Sequence, residues 1–199
     1  MLPNLRRLVL GIVVAGAVLV TSGVAGHAQT AAGPVTFTAQ LVNLNTELNL
    51  PQQTPIDIVV TRWSSAGERE AFTTALKEGG PEGLLKKMQE LPRVGSIRIP
   101  GTLNYEFQVA LRGGSRDGGQ SITLITDRPV SFAEAVDGPR TLDYRFMVIQ
   151  IQLNPIGRGD GRISIATRVT ADRVTGEINL ETWEDLFVTL RDVQRTSGR

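Results

Sequence analysis

The chain has 199 residues, with 21 Lys and Arg, 20 Asp and Glu, one His and no Cys, for a formal net charge of +1 at pH 7. The near balance of charge lacks the basic excess of a nucleic-acid binder or of a polybasic membrane-surface anchor. The absence of cysteine excludes disulfides, a lipid-modified N-terminal cysteine, a thiolate nucleophile and thiolate metal sites.

Residues 1–28 divide into the Arg6-Arg7 pair, an apolar run from Leu8 to Val20, and a small-residue tail ending Ala25-Gly26-His27-Ala28. These are the three regions of a secretory signal peptide, with cleavage expected after Ala28. An uncleaved anchor is the alternative, but the apolar run is short for a bilayer span and a cleavage site follows it. Leu5 stands where a twin-arginine signal carries a polar residue, so the general secretory route is expected. The protein is then periplasmic or secreted, without a membrane span, and about 170 residues remain, enough for one domain with a substantial core. Cleavage also removes His27, the single histidine. A chain without imidazole has no Ser-His-acid triad, no imidazole general base and no His-ligated zinc, and neither metal nor cofactor is expected.

Residues 29–33 read as a flexible mature N-terminus, followed by a single β-rich domain over 34–193 and a frayed tail over 194–199. Val35, Phe37, Ala39 and Leu41 alternate with polar residues, the period of a half-buried strand, and Ile56, Ile58 and Val60 repeat it after a polar loop. Ser65 and Glu68 then form a capping box ahead of Phe72, Ala75 and Leu76 on one helical face. Gly79-Gly80 supplies a left-handed stop and Pro81 a first helical position, and Leu84, Leu85, Met88 and Leu91 form a second stripe that ends at Pro92. This helical pair, about residues 65–91, is too short to be stable alone and has to lay its stripes on the sheet.

A short strand over Ser96–Ile99 turns at Pro100-Gly101 into the clearest alternation of the chain. Leu103, Tyr105, Phe107, Val109 and Leu111 are expected to share one buried face, with the intervening residues on a wet one. Residues 113–119, GGSRDGG, form a hairpin loop rather than a phosphate cradle, since no Lys-Ser ending or helix follows. Ile122–Thr126 returns. Leu142–Leu153 is a long strand whose apolar phase changes near Phe146-Met147-Val148, the mark of a bulge or of cover on both faces. The turn over Asn154–Gly161 contains Arg158-Gly159-Asp160, a short match that carries no function, and too few carboxylates for calcium. Further strands carry Ile163 and Ile165, then Ile178 and Leu180, then Leu186, Val188 and Leu190. The expected fold is α+β and mainly antiparallel β: an eight- or nine-stranded sandwich or barrel with one inserted helical pair.

The chemistry left to such a chain belongs to carboxylates, arginines, tyrosines and hydroxyls. The heteropolar stretch from Thr126 to Tyr144 is the richest region. Asp127, Glu134 and Asp143 could supply the two carboxyls of a glycosidase, although ion pairing with Arg128, Arg140 and Arg145 is the favoured reading of charges this close. Arg62, Arg98, Arg128 and Arg140 could instead converge on an anion, because guanidinium forks match carboxylate and phosphate. Trp63 is either a ligand platform or, as favoured, a cap on the seam between helix and sheet. The candidate ligand-binding residues are therefore Arg62, Trp63, Arg98, Asp127, Arg128, Glu134, Arg140, Asp143 and Tyr144.

Trp63-Ser64, Glu68-Arg69, Gly95-Ser96-Ile97-Arg98-Ile99-Pro100-Gly101, Thr126-Asp127-Arg128-Pro129 with Phe132 and Glu134, and Asp143-Tyr144 together resemble a family of uncharacterised secreted bacterial proteins. The resemblance spans roughly Ile56 to Val169 and implies export and a single domain, with no activity and no catalytic residues to carry over. Three functions are expected in descending order: a non-catalytic domain binding a small apolar or anionic ligand or an envelope component, a carboxylate-based hydrolase of a glycan or cell-wall polymer, and a purely structural envelope protein.

Overall fold

The computed structural model describes residues 33–43, 52–100, 104–115, 117–128, 143–172, 175, 178–183 and 187–197. Within them the strands are β1 (Val35–Val42), β2 (Gln53–Val60), β3 (Gly95–Arg98), β4 (Tyr105–Phe107), β5 (Val109–Gly114), β6 (Gln120–Asp127), β7 (Phe146–Leu153), β8 (Arg158–Ala171), β9 (Ile178–Thr182) and β10 (Phe187–Ser197). One helical element, α1 (Ala66–Gln89), lies between β2 and β3. The ten strands form one sheet in the order β4-β3-β2-β1-β10-β8-β7-β6-β5, with β9 beside β8. The architecture is mainly antiparallel β, as expected, with ten strands rather than eight or nine.

The two faces of this sheet bury different things. Alternation along β1 and β2 sends Phe37, Leu41, Ile56 and Ile58 into a cluster with Ile97, Phe107, Leu124, Ile149, Ile151 and Leu190. The opposite face of β5 to β8 carries Val109, Ile125, Phe146, Val148 and Val169, and α1 covers them with Phe72, Leu76, Leu84 and Met88. Burying side chains of this size stabilises by about 1.5–3 kcal/mol each, which is what holds a helix that would not persist in water. On β7, Phe146 and Val148 belong to the helix side while Met147 and Ile149 face the other cluster. The apolar phase change read from the sequence is therefore both a strand covered on two faces and a shift of register against β8 between Phe146 and Val148.

The helix begins at its capping box. Glu68 N donates to the Ser65 hydroxyl at 3.2 Å, and Ser65 N donates to the Glu68 carboxylate at 2.8 Å. Arg62 then grips the same carboxylate with two guanidinium hydrogen bonds of 2.8 Å each. Helical geometry runs from Ala66 to Gln89 except at Gly80, whose φ of 61° and ψ of −155° break it into two arms. The expected helical pair is thus one helical element broken at the glycine pair. The arms approach so closely at Gly83 that a Cβ there would lie 2.4 Å from the Ala75 carbonyl oxygen.

Two expectations are corrected. The alternation from Tyr105 to Leu111 is not one unbroken strand with a wet face: β4 ends at Phe107 and β5 begins at Val109. Phe107 faces one cluster and Val109 the other, so Gln108 reverses the phase, and both faces are buried at Val109 and Ala110 while Glu106 on β4 stays exposed. The tail is not frayed from Gln194, because β10 continues to Ser197, with Arg195 opposite Phe37 and Ser197 opposite Thr36. The break at Gln108 has a topological consequence. β4 and β5 stand at opposite ends of the strand order, yet one residue joins them. Phe107 O accepts from Val94 N at 2.7 Å, while Gln108 N donates to Ile125 O on β6 at 3.2 Å.

Replacing Phe107 by Ala should cost about 3–5 kcal/mol in denaturant unfolding, whereas Ile156→Ala, at a side chain 78% exposed, should stay within about 0.5 kcal/mol. The Arg62 guanidinium, aided by the Ser65 backbone N–H and opposed by partial burial, lowers the Glu68 carboxyl from 4.5 to about 2. A folded-state value below the unfolded one gives stability that is present above pH 4.5 and lost as the pH falls towards 2. Glu68→Gln should therefore be less stable than the parent by about 1 kcal/mol at pH 7, and thermal melts of the two should converge between pH 4.5 and 2.

Candidate functional site

Every pairing between neighbouring strands is antiparallel, so chain direction alternates across the sheet. The C-terminal ends of β1, β3, β6 and β8 therefore share one edge with the N-terminal ends of β2, β4, β7 and β10. Arg98 closes β3 and Asp127 closes β6 on this edge, Arg128 follows at once, and Asp143 and Tyr144 precede β7. The register thus gathers five of the sequence-derived candidates at one margin of the sheet. Arg62 and Trp63 follow β2 at the opposite margin. Glu134 and Arg140 lie outside the described residues.

Arg62 is committed to Glu68, so the expected group of Arg62 with Arg98, Arg128 and Arg140 does not assemble. Trp63 packs on the cluster that contains Phe107, with the Arg112 guanidinium 5.4 Å from its ring centroid. Beside it, Ser64 N donates to Ala110 O at 2.8 Å and Ala110 N donates to the Ser64 hydroxyl at 3.1 Å. These contacts join the start of α1 to β5. They make a structural seam, held by a cation over an aromatic face and by paired buried donors.

A cleft of about 350 Å³ is lined by Arg93, Asn104, Tyr105, Glu106, Thr126 and Asp127. It lies where β4, paired to β3, runs past the end of β6, which is paired to β5 and β7. Gln108 sits behind Asp127 and is only 1% exposed. Its Nε2 donates to Asp127 Oδ1 at 2.8 Å, and the Thr126 hydroxyl lies 3.3 Å from the same oxygen. The Gln108 carbonyl Oε1 is buried with no hydrogen-bond partner among the described residues. Leaving such an acceptor unmet costs about 1–3 kcal/mol, and among the four buried unpartnered side-chain atoms of the described residues it is the one acceptor, the others being the Nε atoms of Arg145, Arg168 and Arg195. On the outer side, Arg93 Nε lies 3.4 Å from Glu106 Oε2.

Tyr144 forms a second polar group at the same margin. Its hydroxyl donates to Glu181 Oε1 at 2.9 Å, its ring meets Trp183 edge-on at 5.2 Å, and its carbonyl accepts from Arg128 Nε at 2.9 Å. Arg128 N also donates to Arg145 O at 2.7 Å. The expected pairing of Asp127, Glu134 and Asp143 with Arg128, Arg140 and Arg145 falls partly outside the described residues, and within them Asp127 and Arg145 have other partners. Asp127 accepts from Gln108 and Thr126, while the Arg145 guanidinium reaches Glu82 of α1 at 3.6 Å. Burial, and then the adjacent Glu181 carboxylate, push the Tyr144 phenol above its ordinary value, with the Arg168 charge opposing. Tyr144 is therefore a neutral donor.

Glu106 is 60% exposed and faces the Arg93 guanidinium, whereas the acid of a glycosidase is a buried carboxyl. Among the described residues no group of three or more His, Cys, Asp or Glu could hold a metal ion. Gln108 was missed as a site residue because it occupies the polar phase of an apparently regular strand. Its one sequence signal is position, an amide midway along the most apolar alternation of the chain.

The difference between ultraviolet titrations of the parent and Tyr144→Phe isolates the Tyr144 phenol, and its midpoint should lie above the ordinary value of about 10. Glu181→Gln should lower that midpoint without restoring it, because burial, the larger cause, remains. No family model, no curated protein and no solved structure matches this chain.

Proposed function

We propose that this chain is an exported β-domain, without catalytic machinery of its own, that binds a small polar ligand or an envelope component at the cleft between β4 and β6. One observation carries the reading: Asp127, at the end of a strand, is held in place by a buried amide whose own carbonyl is left unpartnered. A fold under no demand but stability gains nothing from that arrangement, since an apolar residue of the same volume would remove the unmet acceptor. The signal-peptide pattern of residues 1–28 supports export to the periplasm or beyond. The resemblance to secreted bacterial proteins fits the same route.

The passage from one end of the strand order to the other through Gln108 supports a sheet that curls into a barrel. In that reading the interior is packed by Phe37, Leu41, Ile58, Phe107, Leu124 and Ile149. An apolar ligand carried inside is then disfavoured, and binding falls to the rim. The packed interior also favours the purely structural reading, which differs in expecting nothing at the cleft. The two separate on one measurement. Native mass spectrometry of the protein, purified without denaturation from the envelope or medium of a bacterial host, should show a mature N-terminus at Gln29 and a small-molecule adduct that Asp127→Asn loses. An intact leader argues against export. An unliganded parent, or an adduct that survives Asp127→Asn, argues against the cleft.

A further inference from the structure

We infer that the cleft between β4 and β6 selects a cationic hydrogen-bond donor, a primary ammonium or amidinium group, received by the free oxygen of Asp127. The inference rests on the binding role proposed above and names its ligand class. Both protein donors near this carboxylate, Gln108 Nε2 and the Thr126 hydroxyl, approach Oδ1. No protein hydrogen bond is made to Oδ2 among the described residues. A carboxylate held through one oxygen keeps its orientation and offers the other to a partner, and a charged donor makes the strongest bond to it.

The remaining uncommitted chemistry has the same sign. The unpartnered buried group behind Asp127 is a carbonyl oxygen, Gln108 Oε1, an acceptor and not a donor. Two carboxylates, Asp127 and Glu106, line the cleft against one guanidinium, Arg93, and that cation already faces Glu106 at 3.4 Å. Tyr105, half-buried and also in the lining, adds an aromatic surface to which a cation is attracted. An anionic ligand would meet acceptors and like charge. A volume of about 350 Å³ open to solvent accommodates a compact head group, whether a free amine or an amine carried on a polymer whose chain extends outside.

The test uses the purified full-length protein after its native processing, with amide chemical shifts followed by NMR during titration. The probes are 1,4-diaminobutane, a deacetylated glucosamine oligomer, its N-acetylated counterpart and succinate. Both amines are expected to shift Tyr105, Thr126 and Asp127, with the acetylated oligomer and succinate inert there. Asp127→Asn, shown to be folded by circular dichroism, should weaken the amines by roughly tenfold or more. Glu106→Gln, which leaves the Gln108 contact untouched, should weaken them by a smaller factor. Tighter binding of the oligomer than of the diamine identifies a polymer-borne amine, and the reverse a free one. Equal shifts from the acetylated oligomer, or cleft shifts from succinate, would overturn the cationic assignment while leaving a binding domain. No cleft shift from any probe, together with an adduct-free native mass, would overturn both.

Discussion

At Gln108 the chain changes which face of the sheet it buries, and the rest of the architecture follows from that reversal. With Phe107 on one side and Val109 on the other, the strand cannot continue as a single ribbon. It instead leaves the β3 end of the sheet and joins the β6 end, using Val94 N on one side and Ile125 O on the other. Val109, placed on the outer face, helps form the surface that α1 covers. The Gln108 side chain, placed between β4 and β6, becomes the buried support of Asp127. One extra residue in a strand bends it, and here the bend carries the chain from β4 to β5 beside the cleft.

The helix has a different dependence. Its arms are held down by apolar burial on β5 to β8, but its entry is fixed by polar contacts within its first turn and to β5. Arg62, Glu68 and Ser65 satisfy one another at the first turn, and Ser64 binds both backbone groups of Ala110. The Arg145 guanidinium adds a tie from the entry of β7 to Glu82. The expectation of an anionic ligand arose from counting arginines along the sequence. In the fold Arg62 faces the Glu68 carboxylate and Arg128 the Tyr144 carbonyl, and what stays uncommitted in the cleft accepts hydrogen bonds.

Local chemistry made much of this legible in advance. The period-two runs of β1 and β2, the Ser65–Glu68 cap and the break at Gly80 each depend on neighbours a few residues away. The grouping of Arg98, Asp127, Arg128 and Tyr144 at one margin was partly readable, since most of them flank strand ends. What escaped depends on contacts between distant residues. Gln108 on the polar phase of a strand looks the same whether it meets water or supports Asp127, and only the pairing of β5 with β6 decides. Arg62 resembled a ligand-binding arginine by type, but its guanidinium is claimed by Glu68 of the capping box six residues on. The tail after Gln194 looked polar and loose, and its pairing with β1 spans most of the chain.

The measurement that bears most directly on this account is a set of methyl and aromatic nuclear Overhauser contacts around Gln108 in solution. The Phe107 ring is expected to contact the cluster containing Ile58 and Ile97, and the Val109 methyls the one containing Leu76 and Met88. The Gln108 amide should be slow to exchange because it donates to Ile125. If Phe107 and Val109 instead report the same neighbours, with Gln108 exchanging as a surface amide, the strand is regular and neither the join between the sheet ends nor the support of Asp127 exists.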